Sequence, residues 1–247
     1  MLGTIINAAA IVAGGILGLV FRKAVRPAQD DAIHKALGIA VLVLAINGIV
    51  TSMFTVKPDG ALASSGELLL IISLVLGALI GSGLQIEERL SGLSEKIETK
   101  LHLTGFAQSF VSGTLLYCVG AMAIIGALND GLRGDGSILA VKSMLDGISS
   151  VLLAATLGPG VIFAALPVLV YQGGISLLAG LLEPLLSGAL LTQICAVGYA
   201  LILCIGINFI GAAKIKTANF LPALLVPVVW NLLQAVWPPI IAFFTSY

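Results

Sequence analysis

The stretch Gly147–Leu182, GISSVLLAATLGPGVIFAALPVLVYQGGISLLAGLL, contains no charged side chain. As a single helix it would reach roughly 54 Å, far more than the ~30 Å of hydrocarbon in a bilayer. Within it, Gly158-Pro159-Gly160 joins a permissive backbone to a missing amide donor. Two elements, about Ile138–Leu157 and Val161–Leu181, meeting at the Gly-Pro-Gly, satisfy both facts. A broken or re-entrant element is the competing solution. Either way, this stretch is written for lipid.

The remainder of the chain agrees. Of 247 residues, 59% are hydrophobic and 10% are charged. A soluble domain of this length carries roughly 25% charged residues. Twelve acidic and twelve basic side chains cannot cover such a surface for water, so most of it must face hydrocarbon. Charge-free runs place further spans at Met1–Phe21, about Ala36–Val56, Leu68–Ile86, Ala107–Leu128, Leu186–Gly211 and Phe220–Phe244. Between the third and fourth spans, Leu90, Leu93, Ile97 and Leu101 recur every three or four residues in a polar stretch from Glu87 to His102. That pattern predicts an interfacial amphipathic helix. The fold class is an all-α polytopic transmembrane helix bundle, one integral membrane domain over 1–247. It has about eight spans, or seven if one element is re-entrant.

Basic residues give a second count. With the N-terminus outside and eight crossings, the inner loops hold Arg22, Lys23, Arg26, Lys35, Arg89, Lys96, Lys100, Lys214 and Lys216. The outer segments hold Lys57, Arg133 and Lys142. Nine against three is the expected positive-inside bias, and it puts both termini outside. The first run has no basic residues before it and Arg22-Lys23 after it, so it reads as a retained span and not a cleaved signal. Glycines at Gly14, Gly15 and Gly18, at Gly77 and Gly81, and at Gly206 and Gly211 suit close helix packing, and they hint at a repeated hairpin layout.

Ionisable and polar groups within such spans are the candidates for function. Asn129–Gly136 reads as a polar, Gly-rich outer loop, with Asp130 and Asp135 as path residues or turn and cap residues. Lys142 and Asp146 are four apart, on one helix face. They suit either a substrate or proton site facing the interior, or an ion pair near the headgroups. Thr156 and Gln172 flank interrupted helix, where exposed backbone serves transport in some membrane proteins. Asn208 joins them, while Asn7, Asn47 and Asn219 are more commonly inter-helix hydrogen-bonding groups. The candidate path is therefore Asp130, Asp135, Lys142, Asp146, Thr156, Gln172 and Asn208. No catalytic motif occurs, and Cys118, Cys195 and Cys204 lack metal-site spacing. The chain is expected to be no enzyme, to use no metal or cofactor, and, at zero net charge, to bind no nucleic acid.

Several blocks resemble a known family: Gly3-Thr4-Ile5-Ile6-Asn7, Cys118-Val119-Gly120-Ala121-Met122-Ala123-Ile124, Lys142-Ser143-Met144-Leu145-Asp146-Gly147, Thr156-Leu157-Gly158, Pro167-Val168-Leu169, Tyr171-Gln172-Gly173 and Ala218-Asn219-Phe220-Leu221-Pro222. Spread over nearly the full length, they resemble the YqgA/YdfK family, bacterial inner-membrane proteins grouped as a domain of unknown function. The resemblance implies an integral protein of the bacterial inner membrane and supplies no activity. From the residues, the expectation is a transporter or channel-like protein for a small solute or ion. The alternative is a membrane scaffold or regulator acting through helix packing. Lipids are expected partners, and the Gly-rich faces would also suit a homodimer.

Overall fold

The computed structural model describes residues 1–22, 27–101, 105–186 and 188–236. Lys23, Arg26, His102 and the end of the last span beyond Val236 lie outside the described residues. The chain folds as helices α1 (Leu2–Arg22), α2 (Pro27–Met53), α3 (Glu67–Gly83), α4 (Ile86–Leu101), α5 (Phe106–Cys118), α6 (Ala121–Arg133) and α7 (Ser137–Leu157). These are followed by α8 (Gly160–Phe163), α9 (Ala165–Leu177), α10 (Ala179–Leu186), α11 (Ala189–Phe209), a 3₁₀ segment (Thr217–Leu225) and α12 (Val226–Val236). Among the described residues, six helices are long and apolar enough to cross a membrane, or up to eight when each of two bent pairs is one span.

Polarity is inverted relative to a water-soluble bundle. On α1 the buried face holds Gly3, Thr4, Asn7, Gly14, Gly15 and Gly18, while Ile5, Ile16, Leu17 and Val20 point outward. On α7, Lys142, Ser143, Asp146 and Ser150 are buried, and Met144, Leu145, Ile148 and Leu152 are exposed. Small and polar groups inside, large apolar groups outside, is the arrangement lipid selects.

Glycine contacts fix the helix directions. A methyl group on Gly3 would lie 2.8 Å from Leu139, one on Gly14 2.2 Å from the Gly147 carbonyl oxygen, and one on Gly18 2.3 Å from that of Val151. Helices α1 and α7 therefore run parallel in close backbone contact. Gly38 meets Ile210 and Gly48 meets Tyr199, so α2 and α11 are antiparallel. Gly77 meets Ala223 and Gly81 meets Asn219, so α3 opposes the 3₁₀ segment. Gly105 abuts Leu157 at one end of α7, and Gly136 abuts Gly3 at the other. The bent pair α5–α6 thus traverses the whole thickness. Gly160 sits on Phe106 and Ser109, whereas Gly173 neighbours Met1 at the opposite end. Gly158-Pro159-Gly160 is accordingly a turn between antiparallel crossings, and not a re-entrant break. Every one of these directions agrees with eight crossings.

Four expectations are corrected. The fourth span is not continuous over 107–128. It bends by 60° where Val119 is extended and Gly120 adopts φ 127°, a conformation open to glycine. Asn129–Arg133 is not loop but the last turn of α6, closed by left-handed Gly134, whose N–H donates to the Asn129 carbonyl. The second span stops at Met53, because Phe54–Val56 pairs with Leu62–Ser64 as a two-stranded hairpin around Pro58-Asp59-Gly60, a turn-forming sequence. Gly211 is a turn residue with φ 77°, and not a packing glycine. The amphipathic helix is present as α4, and its Leu90 faces a cavity. The side chains of Leu93, Ile97 and Leu101 lie outside the described set.

The glycine crossings yield a paired prediction. Gly14→Ala drives a methyl into backbone and should cost about 1–3 kcal/mol. At Gly174, mid-helix with nothing among the described residues within 4 Å, Gly174→Ala should gain roughly 0.5–1 kcal/mol. Thermal unfolding in detergent checks both; equal shifts would contradict the crossing.

Candidate functional site

On α7, Lys142, Asp146 and Ser150 follow each other at intervals of four and stack on one face. Helix α1 covers that face, because its glycines let the two backbones approach. Asp146 lies about 13 Å from the start of α7 and about 16 Å from its end. It is therefore near the middle of a crossing and not at the headgroups. Lys142 and Asp146 are each only 6% exposed.

The pair is tightly made. Lys142 Nζ donates to Asp146 Oδ1 at 3.0 Å and lies 2.8 Å from Oδ2. Asn7 of α1 donates from Nδ2 to Asp146 Oδ2 at 3.0 Å and to Gln172 Oε1 of α9 at 3.2 Å. Asn7 and Gln172 are both fully buried. Three helices, none adjacent in sequence, thus meet in one hydrogen-bonded line: Lys142, Asp146, Asn7, Gln172. The Asn7 amide cannot be reversed, since its oxygen would then face a carboxylate. Three buried polar atoms at this junction have no hydrogen-bond partner among the described residues: Asn7 Oδ1, Gln172 Nε2 and, one turn earlier on α1, Thr4 Oγ1. One turn beyond Asp146, Ser150 shares a 2.7 Å hydrogen bond with the Tyr117 hydroxyl of α5.

Of the expected path residues, Lys142, Asp146 and Gln172 come together. Asp130 is buried at the N-terminal end of α1, where it pairs with the Met1 amino group at 2.8 Å, outside the central line. Asp135 is exposed and accepts from the Ser137 N–H at 3.0 Å at the start of α7. Hydrogen bonding to Ser137 holds its carboxyl below the usual aspartate range. That contribution is present above the ordinary range and lost as pH falls through the lowered value. Asp135 thus forms a local turn just before α7. Thr156 donates back to the Leu152 carbonyl of its own helix at 2.9 Å. Asn208 clamps a turn, accepting from Ile215 N and donating to Ile215 O, each at 2.8 Å.

Asn208 borders a separate cavity of about 450 Å³ at the end of the bundle away from Met1, between α4, α5, α11 and the turn at 211–216. Gln108, Ser112, Lys214 and Glu87 also line it. Helix α4 is tied to the last span there: Glu87 N donates to Asn219 Oδ1 at 2.8 Å, Ala218 N donates to Glu87 Oε2 at 2.9 Å, and Lys216 pairs with Glu88. That partner lowers the Glu88 pKa and raises that of Lys216. Among the described residues no three His, Cys, Asp or Glu side chains converge as a metal site would require, and all three cysteines are free.

Residues 2–232 match the family described as a protein of unknown function, DUF554. The chain belongs to the DUF554 family. It is 37% identical over 227 residues to the uncharacterised membrane protein YdfK of Bacillus subtilis (strain 168), covering 92% of this chain and 94% of that one. It is 28% identical over 244 residues to the uncharacterised protein YqgA of Escherichia coli (strain K12), covering 96% and 99%. No solved structure matches. All four residues of the central line lie in the blocks that carried the resemblance to this DUF554 family. Asn7 carries the weakest local signal of the four: an amide in a charge-free span, four places after a packing glycine. Tyr117 and Ser150 gave none, since a lone hydroxyl in an apolar helix usually bonds its own backbone.

The Lys142–Asp146 pair is open to a double-mutant cycle. Lys142→Met alone, or Asp146→Leu alone, leaves one buried charge unpaired and should cost about 3–5 kcal/mol, while the double variant should lose less than either. Denaturation in detergent measures all three. Additive losses would mean that the two charges do not compensate each other.

Proposed function

We propose that this DUF554 protein is a transporter or channel-like protein that carries a small solute or ion across the bacterial inner membrane, with both termini outside. The observation that carries this reading is a charge pair at mid-crossing, bonded by Asn7 of a second crossing, which in turn bonds Gln172 of a third, with hydrogen-bonding capacity left over. A buried pair is weak as a stabilising device, because desolvation offsets its attraction. Ionisable residues at this depth in membrane proteins more often mark substrate, ion or proton pathways. On this reading the chemistry is binding and release, with no catalytic step and no cofactor. Protonating Asp146 would discharge it and leave Lys142 positive, biasing the bundle towards another packing. The position of the 450 Å³ cavity, on the end richest in basic residues, suits an inner vestibule.

A second reading is a membrane scaffold or regulator that works by helix packing with a partner or a second copy. What favours it is the burial itself: Asn7, Lys142, Asp146 and Gln172 are all sealed from the surface. For a transporter, the same burial is an occluded state.

Reconstituted proteoliposomes separate the two. Wild type should carry at least one of a panel of small neutral solutes, potassium and chloride faster than empty vesicles, read by osmotic reswelling and by current. Asp146→Asn, and the folded control Lys142→Met/Asp146→Leu, should slow it about tenfold, the loss typical of one unmade interaction with a charged group. Unchanged rate and pH dependence in Asp146→Asn would remove the pair from transport. No flux of any probe would leave the scaffold.

A further inference from the structure

We propose, resting on the transport reading, that the site accepts a small uncharged solute that both donates and accepts hydrogen bonds, of the polyol or urea kind, and not an ion. The charges of the site are already closed. Lys142 and Asp146 neutralise each other through contacts at 2.8 Å and 3.0 Å, so an entering ion would stand uncompensated in a low-dielectric interior. The capacity that remains is mixed in sign. Asn7 has spent both N–H groups, on Asp146 and Gln172, and keeps an oxygen that only accepts. Gln172 has spent its oxygen on Asn7 and keeps an NH₂ that only donates. Thr4 Oγ1 does either. These three unpartnered atoms belong to residues no more than 1% exposed, on facing helices.

An anion would meet Asn7 Oδ1 and the Asp146 carboxylate; a cation would meet the Gln172 amide and Lys142. A neutral molecule meets neither conflict. Its carbonyl or hydroxyl oxygen accepts from Gln172 Nε2, and its N–H or O–H donates to Asn7 Oδ1. One turn away on each helix lie Ile11 and Val168, both fully buried, so polar recognition is confined to this junction. A few convergent polar groups in apolar surroundings is the usual form of a small-molecule site.

Stopped-flow light scattering on proteoliposomes tests this, with glycerol and urea as solutes and voltage-clamped bilayers for potassium and chloride. Wild type should speed reswelling in glycerol or urea over empty vesicles and carry no ionic current. Gln172→Leu should lower the solute rate about tenfold, as for a buried group left unpaired. Gln172→Glu keeps the shape but turns two donors into acceptors, and should do the same if the leucine variant fails to fold. Ionic current without solute reswelling would overturn this proposal and leave the transport reading standing. So would faster water movement alone, or wild-type solute rates in both Gln172 variants. Silence to water, solutes and ions alike would overturn both.

Discussion

The interaction on which the rest depends is the contact of α1 with α7. A lysine and an aspartate near the middle of a crossing cannot face hydrocarbon; they persist only where another helix shields them and offers hydrogen bonds. Gly14 and Gly18 bring the α1 backbone against the carbonyls of Gly147 and Val151. That approach places Asn7 within 3.0 Å of the Asp146 carboxylate. With larger side chains at those glycines the helices would stand apart, Asn7 would fall short, and the pair would lose its third partner. Packing and electrostatics are here one constraint: the small residues exist so that the polar ones can meet.

The same device recurs at the other crossings, with a different outcome. Gly38, Gly48 and Gly206 draw α2 against α11, and Gly77 and Gly81 draw α3 against the 3₁₀ segment. Those contacts are with aliphatic, aromatic or backbone atoms. In a bilayer, helix association gains nothing from excluding water, so dispersion across close contacts has to supply it. These glycine crossings thus rest on packing, and the α1–α7 crossing on packing and charge together.

Much of the fold was legible because lipid imposes a simple rule. Runs free of charge, the Gly158-Pro159-Gly160 interruption and the inner excess of basic residues already gave eight crossings, and the glycine contacts run in the directions that count requires. What escaped was local. Gly120 bends the fourth crossing through a positive φ, yet in sequence it is one small residue among several in an apolar run. The hairpin Phe54–Val56 with Leu62–Ser64 hid behind a helix-like hydropathy. The site was half legible. Spacing alone put Lys142 and Asp146 on one face, but whether that face looked to headgroups or to protein is a tertiary fact. Asn7 and Gln172 lie 165 positions apart, and nothing local joins them. Asp135, Thr156 and Asn208 are candidates by polarity, but local turns and helix backbone take up their hydrogen bonds.

A sealed site serves transport only if something yields, and the contacts limit what that is. Helices α1 and α7 interlock through backbone atoms at several levels, so sliding one past the other would force those atoms together. Helix α9 is bonded instead to α6, where Ser176 Oγ donates to the Ala127 carbonyl at 2.8 Å. Its link to α7 runs through Gly158-Pro159-Gly160, with Gly158 at φ 115°, and its polar hold on the central line is the single bond from Asn7 to Gln172. The Tyr117–Ser150 hydrogen bond likewise ties α5 to α7 just below the bend at Gly120. Movement of α9 and of the α5–α6 elbow about a fixed α1–α7 pair would therefore open the junction at its weakest contacts. The Lys142–Asp146 pair would stay intact, sparing the cost of separating two charges in the interior. On the transport reading, a charged half interlocked by backbone contact, facing a neutral half joined to it by one hydrogen bond, would let one site be both closed and able to open.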